Sequence, residues 1–407
     1  MVNPYLLMAV LYLAVGALTA VDASLTSLDF LAWIPGLRWL RVHFITLGVL
    51  TEIIFGVTPA LVAHSQDRPR PSTRWDIWLT LNGGIIVLLV GIPIINQAMI
   101  LVGGSLVFIA TTLLAWQLWK MRRDDSVRKP GRGSLSFYIS GFLFLLLGIT
   151  IGTGLWLGWS APLRIQVPLE AHIHANNWGF MSLVFAGLLI HVLPSLTGHN
   201  LAPAHTIGMI FWGMSVGALF LVIGPWLGGN LWFTVPGLIM HLAATLALLV
   251  QAIRRLSQGG LLAQAGSWHL ITSYLWILAP VMAAPLIILG VPGFPGPVIE
   301  STAPQALIYG WVLQFGMALV PYVARRIVLK DDEARLGGSW LSLSTANLGS
   351  ALIWAGIFLT GLTSLLHGLA YALFAMAMLA VFWELIGVLR QARPGLEAFE
   401  GVFEHRG

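Results

Sequence analysis

Polar residues fall along this chain in short clusters, separated by apolar runs of span length. The runs begin near residues 5, 41, 76, 98, 135, 172, 205, 230, 267, 303, 342 and 367. About 20 residues of helix, rising 1.5 Å each, cross the ~30 Å hydrocarbon core of a bilayer. The twelve runs therefore predict an all-α polytopic membrane fold of about twelve transmembrane helices. The first run has full span length and no basic leader, so it reads as a span rather than a cleavable signal. The longest internal polar stretch, residues 120–133, carries both charge signs and reads as a surface turn.

A repeat organises the runs. His43, His174 and Gln305 open the second, sixth and tenth runs at a constant spacing of 131 residues. Gly48, Gly179 and Gly310 each follow five residues later, and Gly56, Gly187 and Ala318 occupy the next small-residue slot. Four spans per repeat imply three four-helix units, residues 1–131, 132–262 and 263–393, around a pseudo-threefold axis within one transmembrane domain. A short tail, 394–407, follows. Small residues at 48, 56, 179 and 187 are expected to let helices approach closely.

Composition agrees with the apolar pattern: 57% of residues are hydrophobic and 9% are charged, with mean hydropathy +0.86. The distribution of the 21 Lys and Arg residues sets the orientation. All but Arg38, Arg41 and Arg164 fall in loops after even-numbered spans or in the tail, which predicts both termini in the cytoplasm. The net charge of +5 is thus a topology signal, and no basic, aromatic-interleaved groove points to nucleic acid. The absence of Cys excludes disulfides, thiolate metal sites, iron–sulfur clusters and covalently attached haem. The expected location is the cytoplasmic membrane of a prokaryote, with the lipid bilayer as the main partner.

The candidate chemistry lies near the predicted outer ends. Residues 170–200 open with His172 and His174, run through a Gly-spaced apolar segment and reach His191 and Pro194. Neighbours two apart on a helix are rotated by about 200°, so the two imidazoles leave nearly opposite sides and serve two sites. His43 and His174, equivalent in the repeat, suit ligation of a flat macrocycle from two helices. A polar hydrogen-bonded cluster and a bare metal or proton path are the alternatives. His241 and His367 are further candidate metal ligands, either of which could pair with His172. Arg38 and Arg41 adjoin the His43 helix and suit carboxylate groups of a cofactor, or snorkel at the interface. Glu52, an acid in mid-span, suits either a proton path or a hydrogen bond to a neighbouring helix. The histidines towards the cytoplasmic ends, His64, His191, His199, His205 and His269, read as structural, and His405 lies in the tail.

The twelve-span repeat, His43 on the second span and the H-x-H pair of a Gly-spaced, Pro-ended span resemble the catalytic subunit of haem–copper oxidases and nitric oxide reductases. The run HIHANNWGFMSLVFAGLLIHVLP is similar to the C-type oxidase form of that helix. The ending Pro-x-x-Thr-Gly resembles the NnrS proteins, membrane haem proteins associated with nitric oxide. The resemblance implies His43 and His174 as axial ligands of a low-spin haem b, and His172 as ligand of a second haem. The departures are specific. The pair stands on the sixth span, with Gln305 on the tenth; the seventh span has no adjacent histidines; and Trp178, not Tyr, stands four residues after His174. The full three-histidine copper site is missing, so copper stays open but is not supported by a full ligand set.

The expectation is a membrane haem b protein with one or two haems and iron as its metal. It would act in electron transport or as an oxidoreductase on nitric oxide or oxygen, with a redox partner subunit or quinone. The alternative is a polytopic transporter or a proton or ion channel using an intramembrane His/Glu cluster.

Overall fold

The computed structural model describes residues 3–25, 31, 33–66, 68–122 and 133–404, as backbone alone from 393. Most of the expected surface turn at 120–133, and His405, lie outside the described residues. The chain is an all-α, multi-pass membrane protein, with no strand among the described residues. In order come α1 (Pro4–Ser24), α2 (Leu37–Ser65), a shorter apolar α3 (Trp75–Gly91) and α4 (Gln97–Met121). They are followed by α5 (Ser134–Leu157), α6 (Pro168–Thr197), α7 (Ala204–Trp226) and α8 (Leu231–Gln258). The last four are α9 (Ala265–Ile288), α10 (Gly296–Leu329), α11 (Trp340–Phe358) and α12 (Thr360–Ala392). All but α3, at 17 residues, are long and apolar enough to cross a membrane. Helical backbone continues beyond α12 to Glu404, so the expected tail is helical as far as it is described.

Polar residues between the runs become caps. The side chains of Asn3, Asn96 and Asn230 accept from the free N–H groups of Tyr5, Met99 and Trp232 at the starts of α1, α4 and α8. Ser339 and Ser342 form a reciprocal pair at the start of α11. Gly158 and Gly198, at φ of +76° and +71°, end α5 and α6 in the left-handed conformation that glycine adopts without a Cβ penalty.

The described chain divides into two compact units, Met1–Gly56 with Leu262–Gly407, and Val57–Leu261. They are cut differently from the three repeat units read in the sequence, because the first cut falls inside α2. In the first unit α10 is central, with 89% of its apolar window buried; in the second α6 is central at 83%. The other spans lie between 33% and 56%, since each keeps a lipid-facing side. In the first unit α1 packs on α12 and on the first part of α2, while α9 and α11 pack on α10. In the second, α5 and α7 flank α6, with α4 beside α5 and α8 beside α7.

One local arrangement occurs three times. α2, α6 and α10 each contain a π-helical turn, at Phe44–Leu50, Ala175–Met181 and Ile308–Leu313. In each turn a glycine meets an aromatic ring of the preceding odd-numbered helix: Gly48 on Tyr12, Gly179 on Phe144 and Gly310 on Trp276. A Cβ on Gly48 would stand 2.7 Å from Tyr12 Cγ, and one on Gly310 would stand 2.8 Å from Trp276 Cγ. The close approach expected of these small residues is therefore made to a flat ring.

Candidate functional site

His43 is the last α-helical residue before the turn at Phe44–Leu50, and His174 the last before the turn at Ala175–Met181. His43 belongs to the first compact unit; His172, His174 and His241 belong to the second.

In the second unit the two neighbouring imidazoles diverge as their spacing requires. His172 reaches α5, where Nδ1 stands 2.8 Å from the Gly148 carbonyl oxygen. Its ring lies over Gly152, which has no side chain to obstruct it: a Cβ there would stand 2.5 Å from His172 Cε1. Asn176, one turn on, donates to the His172 carbonyl at 2.9 Å and holds the same face against Gly148. His174 reaches α7 instead, with Nδ1 2.6 Å from the Leu221 carbonyl oxygen. In the first unit His43 turns back on its own helix. Its Nδ1 stands 2.8 Å from the Trp39 carbonyl oxygen, and its ring stacks on Trp39 at 3.8 Å and 15°.

These three contacts carry chemical information. A carbonyl oxygen only accepts, so the Nδ1 facing it is read as the donor in each histidine; at His172 the Asn176 amide nitrogen also stands 3.3 Å from Nδ1. A metal-ligating imidazole is commonly fixed in this way, with one nitrogen donating to a carbonyl and the other left to the metal. Within the second unit, His172 and His174 each turn Nδ1 to a carbonyl of a different helix, a ring orientation that suits ligation through Nε2.

His241, another candidate ligand, is engaged by the protein through both ring nitrogens. It is 3% exposed, its Nε2–H donates to the Trp178 carbonyl at 3.1 Å, and its Nδ1 accepts from Thr245 at 3.3 Å. Both ring nitrogens are used, and its ring meets Trp178 edge-on. His367 lies against Gly356, beside the Ile353 carbonyl, with Nε2 buried and without a hydrogen-bond partner. Among the described residues no three His, Cys, Asp or Glu converge as a metal-binding group.

The two arginines expected near a cofactor are held by the protein. Arg41 pairs with Asp22 at 3.1 Å and lies over the Tyr371 ring at 5.6 Å, with Nε buried and unpartnered. Arg38 donates to the Ser301 carbonyl at 2.9 Å. Tyr371 in turn donates to Gln305 at 2.7 Å and meets Tyr309 edge-on at 5.5 Å. Glu52 is fully buried, close enough to Tyr12 for the two to interact electrostatically.

Sequence reasoning missed Asp22, Asn176 and Tyr371. For Asp22 a signal existed: an acid near the end of an apolar run, ahead of an isolated arginine on the next. His64 and His191 were read as separate structural residues, yet their rings come within 6.2 Å. No protein-family model matches the chain, and no curated protein matches it.

Proposed function

We propose that this chain is an integral-membrane haem b protein that transfers electrons, or binds and turns over a diatomic gas such as nitric oxide or oxygen. In this reading His43 and His174 supply the axial nitrogens of a low-spin haem, and His172 ligates a second. The observation that carries it is a shared contact: three histidines in the first turns of their spans, each with Nδ1 on a backbone carbonyl oxygen. The pairing of His43 with His174 rests on their common register, directly before a π-helical turn. Haem iron supplies reversible one-electron chemistry or an open position for a gas, according to its ligation.

The chain's own residues supply the rest. The backbone carbonyls of Trp39, Gly148 and Leu221 orient the rings and raise the basicity of Nε2. Arg41, paired on one side, keeps a buried Nε–H that a cofactor carboxylate could accept from. The Lys/Arg distribution supports the outer ends of α2 and α6 as the location, with both termini cytoplasmic.

The test is an oxidised-minus-reduced visible spectrum of purified protein, repeated on three variants. Wild type should give Soret and α bands. His43→Ala and His174→Ala should each lose the bis-histidine spectrum, and His172→Ala should keep it. An intact low-spin signal in His174→Ala overturns the assignment. A flat wild-type trace favours the second reading, a transporter or a proton or ion channel, which rests on the buried mid-span Glu52. There Glu52→Gln should abolish proton or ion flux into vesicles.

A further inference from the structure

Within the second compact unit, the end of α2 and the far part of α6 bring His64 and His191 together, away from the histidines just described. Their ring centroids are 6.2 Å apart, with planes inclined at 56°. His191 is 5% exposed, and its Nδ1 is buried with no hydrogen-bond partner. Buried polar groups are almost always paired in native structures, so one without a partner calls for a reason. His64, by contrast, is exposed. The pair thus joins a buried nitrogen lacking a partner to an imidazole that reaches solvent.

We infer that His64 and His191 form a bis-imidazole site for a late first-row transition-metal ion, of which Cu²⁺ is the preferred probe. Three observations support it. Metal–nitrogen bonds of about 2.0–2.1 Å from two imidazoles facing each other across one ion set their ring centroids roughly 6 Å apart. The separation found here matches. Neutral imidazole is a ligand type suited to copper, zinc and nickel rather than magnesium or calcium. Among the described residues, the further buried ring nitrogens without hydrogen-bond partners, His269 Nδ1 and His367 Nε2, have no second imidazole stacked or tilted against them. His269 instead bonds Ser342 at 2.9 Å through Nε2.

Among the described residues no third His, Cys, Asp or Glu completes a ligand set, so the ion keeps open positions for water or an exogenous ligand. That is the pattern of an exchangeable site rather than a closed structural one. The ion loads from the side that His64 faces, which the Lys/Arg distribution makes the cytoplasmic side. The inference does not depend on the haem reading, since neither histidine belongs to that ligand set.

The test is titration of the full-length protein in detergent with Cu²⁺, followed by electron paramagnetic resonance and by metal content after dialysis. Wild type should retain one Cu²⁺ whose spectrum shows coupling to two imidazole nitrogens. His64→Ala alters an exposed residue and so leaves the interior packed. It should reduce the coupling to one nitrogen and weaken retention by more than the ~10-fold that loss of an outer-shell partner costs. The double variant His199→Ala, His205→Ala removes two other exposed histidines and should behave as wild type. Unchanged retention and coupling in His64→Ala, or their loss in the double variant, would overturn the inference.

Discussion

A methyl group placed on Gly152 tests directly how α6 docks on α5. Built on the backbone, it would stand 2.5 Å from His172 Cε1 and 2.7 Å from Nδ1. Comfortable carbon contacts lie near 3.5–4.0 Å, so a gap of about 1 Å must open. The ring is not free to swing aside, because Nδ1–H is held by the Gly148 carbonyl at 2.8 Å. Either the imidazole leaves and that bond is lost, or the two helices part. Overpacking of this kind costs about 1–3 kcal/mol, and the lost hydrogen bond adds about 0.5–1.5 kcal/mol. Alanine's better helix propensity returns roughly 0.8–1 kcal/mol. Gly152→Ala should therefore destabilise by about 0.5–4 kcal/mol. Gly208→Ala is the control: it sits in α7 with open space around it and should be neutral or slightly stabilising. Adding His172→Ala to Gly152→Ala should recover part of the loss, as coupled neighbours do. The assay is denaturant unfolding in detergent, followed by tryptophan fluorescence. If Gly152→Ala proves as stable as Gly208→Ala, or His172→Ala gives no recovery, the docking described here is wrong.

Two further outcomes follow from the ion pairs. Asp22→Asn leaves Arg41 without its charge partner in a mostly buried setting and should cost about 1–3 kcal/mol. Asp76→Asn breaks the exposed Arg74–Asp76 pair and should cost under about 1 kcal/mol by the same unfolding assay; equal costs would refute the contrast. Glu384 receives Arg325 at 2.6 Å and the Gly338 N–H at 3.0 Å, tying the segment before α11 to α12. Glu384→Ala should loosen that segment by about 1.5–3 kcal/mol, read as at least ~10-fold faster tryptic cleavage at Lys330 or Arg335. An unchanged cleavage rate would count against it.

Much of the fold was legible because it depends on local composition. Spans announce themselves as apolar runs, and Asn or Ser at their margins announce the caps. The divergence of His172 and His174 was legible too, since helical rotation alone sends the two imidazoles to nearly opposite sides. What that rotation could not say was which carbonyls would receive them. The Gly148 and Leu221 contacts depend on which helices pack together, and no single span encodes that. The His64–His191 approach was hidden for the same reason. For His241 a local clue to its partner is present in the sequence: Thr245, one turn on, offers its hydroxyl to Nδ1. The π-helical turns left no mark in the apolar pattern, because an extra residue in a turn changes bonding without changing hydrophobicity.

Those turns bear on how the spans respond to changes in length. A π-turn holds one residue more than the α-helix around it while the flanking helix keeps its course. Deleting a residue elsewhere in α6 would rotate every later side chain by about 100° and turn buried faces outward. Deleting one inside Ala175–Met181 removes the surplus and leaves both flanks facing as before. The same holds for Phe44–Leu50 in α2. Each turn is thus a place where the span can be shortened by one residue without being rewritten. The histidine just before it would then hold its direction, and only the contact made by the glycine within the turn would be re-aimed.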